Sequence, residues 1–423
     1  GTHLPDITVL MPWYREQELR GFVLNRAHHT DIGGARAGSM APCTHINEEG
    51  FRSGPIGILH DNQLNREAIE DLLEQSRTPG ERVTDLEAQL ASARRGIKRL
   101  NHWCESLDPA ASAIFNGLID YTESYTCDRI GTLPKTTAEA EELMDGDGMG
   151  NDDIPLDVTI TIEGETITFD FRESADAVDG NINCPRAVTA SAVYYFMQCL
   201  LPESVPVNEG VLNPVTIRTR SGSLLDAEYP SAVAGGNVET SQRIVDLLIN
   251  GFGTIIPNEM PAQSQGTMNN ITIGWDEGDA HHTYYETLGG GAGGGPEYPG
   301  LCGRQVHMTN TRNTPIEELE RKFPIMVEIL RLCSSSGGVG NHPGGEGLIK
   351  QWRALQALDV GLLAERRKHS PRGSNGGDDG QPGGDRIIRE SESIQPDSKT
   401  NFALEPGERF RVETPGGGGW GRQ

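Results

Sequence analysis

Lysine is nearly absent from this sequence. Of its 36 basic residues only Lys98, Lys135, Lys322, Lys350, Lys368 and Lys399 are lysines, against 61 acids, giving a formal charge of -25. A field of that sign repels nucleic acid and anionic membrane surfaces, both of which need clustered Lys and Arg to neutralise phosphate. Neither is expected as a partner. Acid excess with so little lysine points instead to halophilic adaptation, because molar salt screens charges beyond about 3 Å. Long apolar runs are missing too: none approaches the roughly 20 residues that span a bilayer, and no basic stretch followed by an apolar one opens the chain. The seven cysteines are scattered, odd in number and never spaced as CxxC. That excludes a disulfide framework and a zinc ribbon and fits reduced thiols in a cytoplasm. No GxxxxGK motif occurs, and the run Gly289 to Gly295 is not followed by Gly-Lys-Ser/Thr, so a phosphate loop on this chain is excluded.

What is present reads as a mixture of helix and strand. Residues 7–13 and 21–27 are short apolar runs joined by a charged turn, the pattern of two adjacent strands. From Asn62 to about Tyr125 apolar residues recur at three- and four-residue steps, predicting helix broken at Pro79-Gly80. Alternation of Val158, Ile160, Ile162 and then Ile167, Phe169, Phe171 around Gly164 predicts a β-hairpin with one buried face. Helices are expected over Ala187 to Leu201, over Ser241 to Phe252 and from Thr314-Pro315 to near Pro324, with a strand at Val215 to Arg220. The glycine clusters at 289–295, 337–345, 373–384 and 416–419 predict tight turns or flexible loops. The fold class is α+β and multi-lobed. We divide it into a β-rich lobe (1–61), a helical segment (62–133), an acidic linker (134–153), a mixed α/β lobe (154–275) and a Gly-rich C-terminal lobe (276–423). The linker's Asp-x-Asp-Gly run lacks the spaced Glu and flanking helices of a calcium-binding EF-hand.

The strongest chemical signal is a pair of polar clusters, His3-x-x-Asp6 and His28-His29-x-Asp31, at the ends of the first two strands. Two imidazoles and one or two carboxylates brought together would hold a divalent metal such as Mn, Zn or Fe. A His/Asp hydrogen-bond cluster is the other reading of the spacing. His281-His282, His307 (expected within a strand) and Cys333 have no placed partner and read as structural.

These clusters resemble a known family. Gly1-Thr2-His3-Leu4-Pro5-Asp6 and Ala27-His28-His29-Thr30-Asp31-Ile32-Gly33-Gly34 closely match signatures of the hydantoinase B/5-oxoprolinase family. Further blocks match in family order: Gly180-Asn181-Ile182-Asn183, Gly235 through Arg243, Tyr285-Glu286-Thr287, Val306 through Thr314, Ala364 through Lys368, and Thr414 through Gly421. The resemblance implies one family domain over the whole chain, N-terminally truncated, since members usually carry an Asn-Asp-Pro-Tyr-type block just before the first motif; the start at Gly1 rather than Met agrees. It implies a metal on His3, Asp6 and His28, with His29 and Asp31 in catalytic roles, either supporting the ligands or facing substrate. It also implies a hetero-oligomer with an A-type subunit of actin-like fold that carries the ATP. The implied activity is ATP-dependent hydrolysis of a cyclic amide. The alternatives are an acetone or acetophenone carboxylase subunit acting on a ketone, or a non-catalytic remnant that still binds the partner. Ala37, Cys333-Ser334-Ser335, Pro343 and Glu297-Tyr298-Pro299 depart from the family pattern.

With 61 acids against 36 bases, unscreened repulsion should lower stability at low salt. We expect the melting temperature to rise between low salt and several molar KCl; a flat response contradicts the halophilic reading.

Overall fold

The computed structural model describes residues 2–107 and 111–423. Gly1, the first residue of the opening motif, and residues 108–110, inside the expected helical segment, lie outside the described residues.

The chain opens on β1 (Asp6–Arg15) and β2 (Glu18–His28), paired antiparallel so that Asp6 faces His28 and Ile7 faces Ala27. Side chains alternate across a strand. Val9 and Trp13 therefore turn inward while Leu10 and Tyr14 remain exposed. A small hairpin of β3 (Leu59–His60) and β4 (Gln63–Leu64) leads to α1 (Glu70–Gln75), α2 (Pro79–Leu107) and α3 (Ala111–Gly131). Pro79 starts α2, as a first-turn proline can. Leu86 and Leu90 of that helix pack on Val9 and Ile32, and Trp13 Nε1 donates to Asn101 Oδ1 at 2.6 Å. The hairpin is thereby clamped to α2.

A second layer holds β5 (Thr136–Gly146), β6 (Asp152–Glu163), β7 (Thr166–Asp170) and β8 (Val215–Arg218) in that order, with β7 and β8 parallel. Ile154, Leu156, Val158, Ile160 and Ile162 point to one face and pack with Phe169 and with the helices α4 (Arg186–Cys199) and α5 (Ser241–Ile255) through Phe196 and Phe252. Each such buried apolar side chain contributes roughly 1.5–3 kcal/mol.

Residues 136–146 of the expected linker are therefore a strand. Three of the acids that suggested a solvated connector, Glu142, Asp145 and Asp147, are buried, and Asp145 accepts backbone N–H bonds from the distant Arg367 (2.6 Å), Lys368 (3.2 Å) and His369 (3.1 Å). Asp147 likewise accepts from the amides of Met149, Asn151 and Gly180.

The C-terminal part contains a sheet of β9 (Asn270–Glu277), β10 (Ala280–Thr287), β13 (Leu358–Leu363) and β16 (Lys399–Leu404), ordered β10-β9-β13-β16. The other sheet, ordered β11-β12-β17-β14-β15, is built from β11 (Ile325–Cys333), β12 (Gly347–Ala354), β14 (Gly384–Ile388), β15 (Ser393–Ile394) and β17 (Arg409–Glu413). Ile273, Trp352, Val360 and Phe410 fill a shared core, and α6 (Ile316–Lys322) adds Leu319 to it.

The glycine clusters form neither flexible loops nor, for the most part, turns. Segments 261–266, 289–295, 336–347, 371–381 and 414–421 run against one another as extended threads whose N–H groups donate to neighbouring threads. Gly291 donates to Pro415 O at 2.9 Å, Gly294 to Gly418 O at 2.9 Å, Gly345 to Ala292 O at 2.8 Å and Gly417 to Gly345 O at 3.0 Å. The backbones touch. A Cβ on Gly344 would stand 2.0 Å from Gly417 O, and one on Gly417 would stand 2.0 Å from Ala292 O. Their φ angles are not positive, so glycine is required for closeness and not for conformational freedom, as at the axis of a collagen helix.

Gly344→Ala or Gly417→Ala should each destabilise the chain by about 3 kcal/mol or more, through overpacking against backbone that cannot yield. Gly253→Ala, inside α5 with nothing within 4 Å of the added methyl, should be neutral or stabilising by roughly 0.5–1 kcal/mol. Denaturant melts of the three variants check the contrast.

Candidate functional site

The register of the first hairpin creates the site. Pro5 O accepts both Ile7 N (3.0 Å) and His29 N (2.8 Å), closing the open end of β1 and β2 with Asp6 across from His28. His3 lies in the turn just before β1, buried, with Nδ1 3.3 Å from Asp6 Oδ2. Thr2 Oγ1 donates to the same carboxylate oxygen at 3.0 Å. The rings of His3 and His28 are 5.1 Å apart, and the ring of His28 is also stacked on Tyr285 of β10 at 5.0 Å and 12°. Three of the five residues singled out in the sequence thus converge on one point.

Their electrostatics suit a cation. Burial works against the Asp6 carboxylate, but hydrogen bonding and charge from His3, with help from His28 and Thr2, bring its pKa down to about 2. Asp6 is ionised at neutral pH. Although His28 as a residue is exposed, desolvation of its ring, then His3, disfavours the cation and outweighs Asp6, so the ring is neutral at neutral pH. Of the nitrogens of the buried His3, Nε2 has no hydrogen-bond partner and Nδ1 has only Asp6 Oδ2, 3.3 Å away; a buried ring nitrogen left without a partner is uncommon. Among the described residues no group of three or more His, Cys, Asp or Glu side chains is arranged as it stands to hold a metal ion. What fits is the donor set: two imidazoles, one of them with a free buried Nε2, and an ionised carboxylate.

His29 and Asp31 lie elsewhere. One residue beyond His28, His29 projects to the opposite face and is fully buried against α2, with Nε2 3.0 Å from Gln89 Oε1. Gln89 Nε2 donates to Ile7 O at 2.9 Å and to Asn25 Oδ1 at 3.0 Å. Because a carbonyl only accepts, the Gln89 oxygen faces the imidazole and His29 carries its proton on Nε2. Asp31 is also fully buried, and both oxygens are taken: Oδ1 by the amides of Gly33 (3.0 Å) and Arg77 (3.2 Å), Oδ2 by the Gly38 amide (3.0 Å) and Arg77 Nη1 (3.1 Å). It organises the loop that follows β2. Gly34 there has φ of +87°, and a Cβ on it would meet Glu48 O at 2.4 Å. Both side chains are thus fully buried and engaged within the fold, His29 with Gln89 and Asp31 with its own loop and Arg77.

Other candidates are placed as well. His281 pairs with Asp276 at 2.6 Å on the surface, and His282 stacks on Trp275. His307 sits in a turn with φ of +54°, not in a strand, and its Nδ1 is 3.2 Å from Tyr195 Oη. Sequence reasoning missed Tyr285. Its block was legible, but nothing local showed that β10 crosses over the end of β2.

The family model for hydantoinase B/oxoprolinase matches residues 1–423. The chain is 36% identical over 452 residues to 5-oxoprolinase 1 of Arabidopsis thaliana, covering 100% of this chain and 34% of that protein, so it spans about a third of that relative's length. Its fold superposes on the ATP-dependent caprolactamase from Pseudomonas jessenii with a TM-score of 0.91 at 21% identity, covering 100% of this chain and 75% of that one. An acetone carboxylase in its nucleotide-free state gives a TM-score of 0.89 at 17% identity, over 100% and 64% of the two chains. With its whole length matched by the family model and its motifs in family order, the chain belongs to the hydantoinase B/oxoprolinase family.

Proposed function

We propose that this chain is the B-type component of an ATP-dependent cyclic amide hydrolase of the hydantoinase or oxoprolinase kind, with His3, Asp6 and His28 as ligands of a divalent metal. The observation that carries this is the meeting of those three side chains at the mouth of the first hairpin, with His3 Nε2 buried and without a partner and Asp6 ionised. When bound, such a metal supplies Lewis-acid polarisation of a carbonyl or phosphorylated oxygen.

The chain's own residues supply the rest. His28, held neutral, offers a lone pair instead of a proton, and its stacking on Tyr285 fixes the plane of the ring. Gln89 fixes the tautomer of His29, and Asp31 ties the following loop to Arg77, so both brace the hairpin end from behind. Activation of the substrate belongs to the partner, since the sequence carries no phosphate loop. An A-type ATPase would transfer the γ-phosphoryl group of ATP to the lactam oxygen, removing the amide resonance that protects the ring from water. Named relatives support the class: 5-oxoprolinase by sequence and caprolactamase by fold.

Ketone carboxylation is the second reading, favoured by the acetone carboxylase likeness. It needs the same polarised oxygen with carbon dioxide in place of water. Supplied with its ATPase partner, ATP and a panel of lactams, hydantoins and ketones in labelled bicarbonate, the complex should open a cyclic amide and fix no label. Label in an acid-stable product, with every ring intact, overturns the choice.

His28→Ala should lower the affinity for the metal by at least about tenfold and reduce turnover in parallel while the protein stays folded. Asp31→Asn should act differently. It weakens the ion pair to Arg77 and should cost stability, roughly 3 kcal/mol, as breaking a buried pair does. Metal titration and denaturant melts separate the two.

A further inference from the structure

Glu239 is buried where few carboxyl groups are placed. It lies in a π-helical turn, Gly236–Thr240, that opens α5, and is fully shielded from solvent. Single π-turns of this kind recur at functional sites. The turn is pressed against the Gly180 to Asn183 block: a Cβ on Gly236 would stand 1.9 Å from Asn183 O, and Thr240 Oγ1 donates to Ile182 O at 2.6 Å. The partners of Glu239 are amides. Oε1 accepts from Met268 N at 3.0 Å and from Asn270 Nδ2 at 2.6 Å, while Oε2 has only the Thr267 hydroxyl nearby, in no aligned hydrogen bond. Burial pushes its pKa up to about 7.

From Glu239 a connected path runs to the candidate metal centre. Asn270 Nδ2 also donates to Leu363 O at 2.8 Å. A backbone carbonyl only accepts, which pins the amide nitrogen on that side and leaves Oδ1 facing Tyr285. The Tyr285 hydroxyl must then donate, and it does so at 2.8 Å. The ring of Tyr285 lies flat on His28 at 5.0 Å. Every link has a fixed direction, from the π-turn through β9 and β10 to the end of β2.

We propose that Glu239 is a positioning residue for this site, holding Asn270 and through it Tyr285 so that the plane of the His28 imidazole is set before any ligand arrives. The inference rests on the reading of His28 as a metal ligand. Removing the acceptor at 239 leaves the Asn270 amide nitrogen with Leu363 O alone and lets Tyr285, and with it His28, turn.

The test uses the full-length protein with its partner, titrated with Co(II), whose visible bands report ligand geometry. Glu239→Leu should weaken Co(II) binding by roughly tenfold or more and shift the bands. Glu239→Gln, which keeps an oxygen for Asn270, should stay within about twofold of the parent. Should Glu239→Leu fail to fold, Tyr285→Phe, which removes only the hydroxyl, is expected to show the same loss. Parental affinity and an unchanged spectrum in the leucine variant, or in Tyr285→Phe where that stands in, would overturn the proposal. If the parent protein binds no Co(II), the ligand reading fails, and histidine-selective NMR of the metal-free protein still decides the positioning role. There the His28 ring signals carry the shielding of the Tyr285 face; its loss in the leucine or phenylalanine variant supports the proposal and its retention contradicts it.

Discussion

Backbone approach without room for a Cβ is the constraint on which the C-terminal half of this protein depends. Threads built from Gly289 to Gly295, Gly337 to Gly347 and Gly416 to Gly421 lie within hydrogen-bonding reach of each other's main chain, and a methyl on several of these residues would fall about 2 Å from a carbonyl oxygen, as at Gly291 (2.0 Å) and Gly416 (1.9 Å). Such contacts leave little freedom for slippage. The thread at 261–266 leads directly into β9 and its first residue Asn270, and the thread at 289–295 follows the end of β10, two residues after Tyr285 is fixed in register with Thr272. The glycines therefore position, at a distance, the side chains that press on His28.

Charge is arranged in the same economical way. An acidic chain with six lysines keeps two of them inside, Lys350 paired with Glu286 at 2.7 Å and Lys399 paired with Glu365, both buried. Arg243 meets Glu365 at 2.8 Å and Arg366 meets Asp246 at 2.6 Å, all four buried. Removing one partner of such a pair strands the other, at a cost of several kcal/mol. The pairs join α5 to the Ala364 to Lys368 block and so lock the second layer to the C-terminal sheets. The surface is left to the excess acids, which is where salt can screen them.

How much of this was legible depended on how far each residue's partners lie along the chain. The first hairpin could be read because its apolar runs and polar ends are local, and the same holds for the hairpin around Gly164 and for the helix after Pro315. Spacing placed the two polar clusters at adjacent strand ends, but which three of their five residues meet was implied only by the family resemblance, since His29 and Asp31 turn into the fold. The strand at 136–146 was hidden because the amides that Asp145 serves belong to residues 367–369, more than two hundred positions away. Glycine density suggested loops because one sequence cannot show that the partner of a glycine is another glycine. Glu239 and Tyr285 stood in recognisable blocks, but their part in the site arises from β9 and β10 crossing the hairpin end, which no local pattern encodes.

The proposed function depends on the His3, Asp6 and His28 cluster acting as a metal centre. The most direct measurement is a crystal of the active complex recorded at the Mn, Fe and Zn absorption edges. We expect one anomalous peak bonded to His3, Asp6 and His28. An active complex with no peak there, or with its metal held by other residues, would contradict the account.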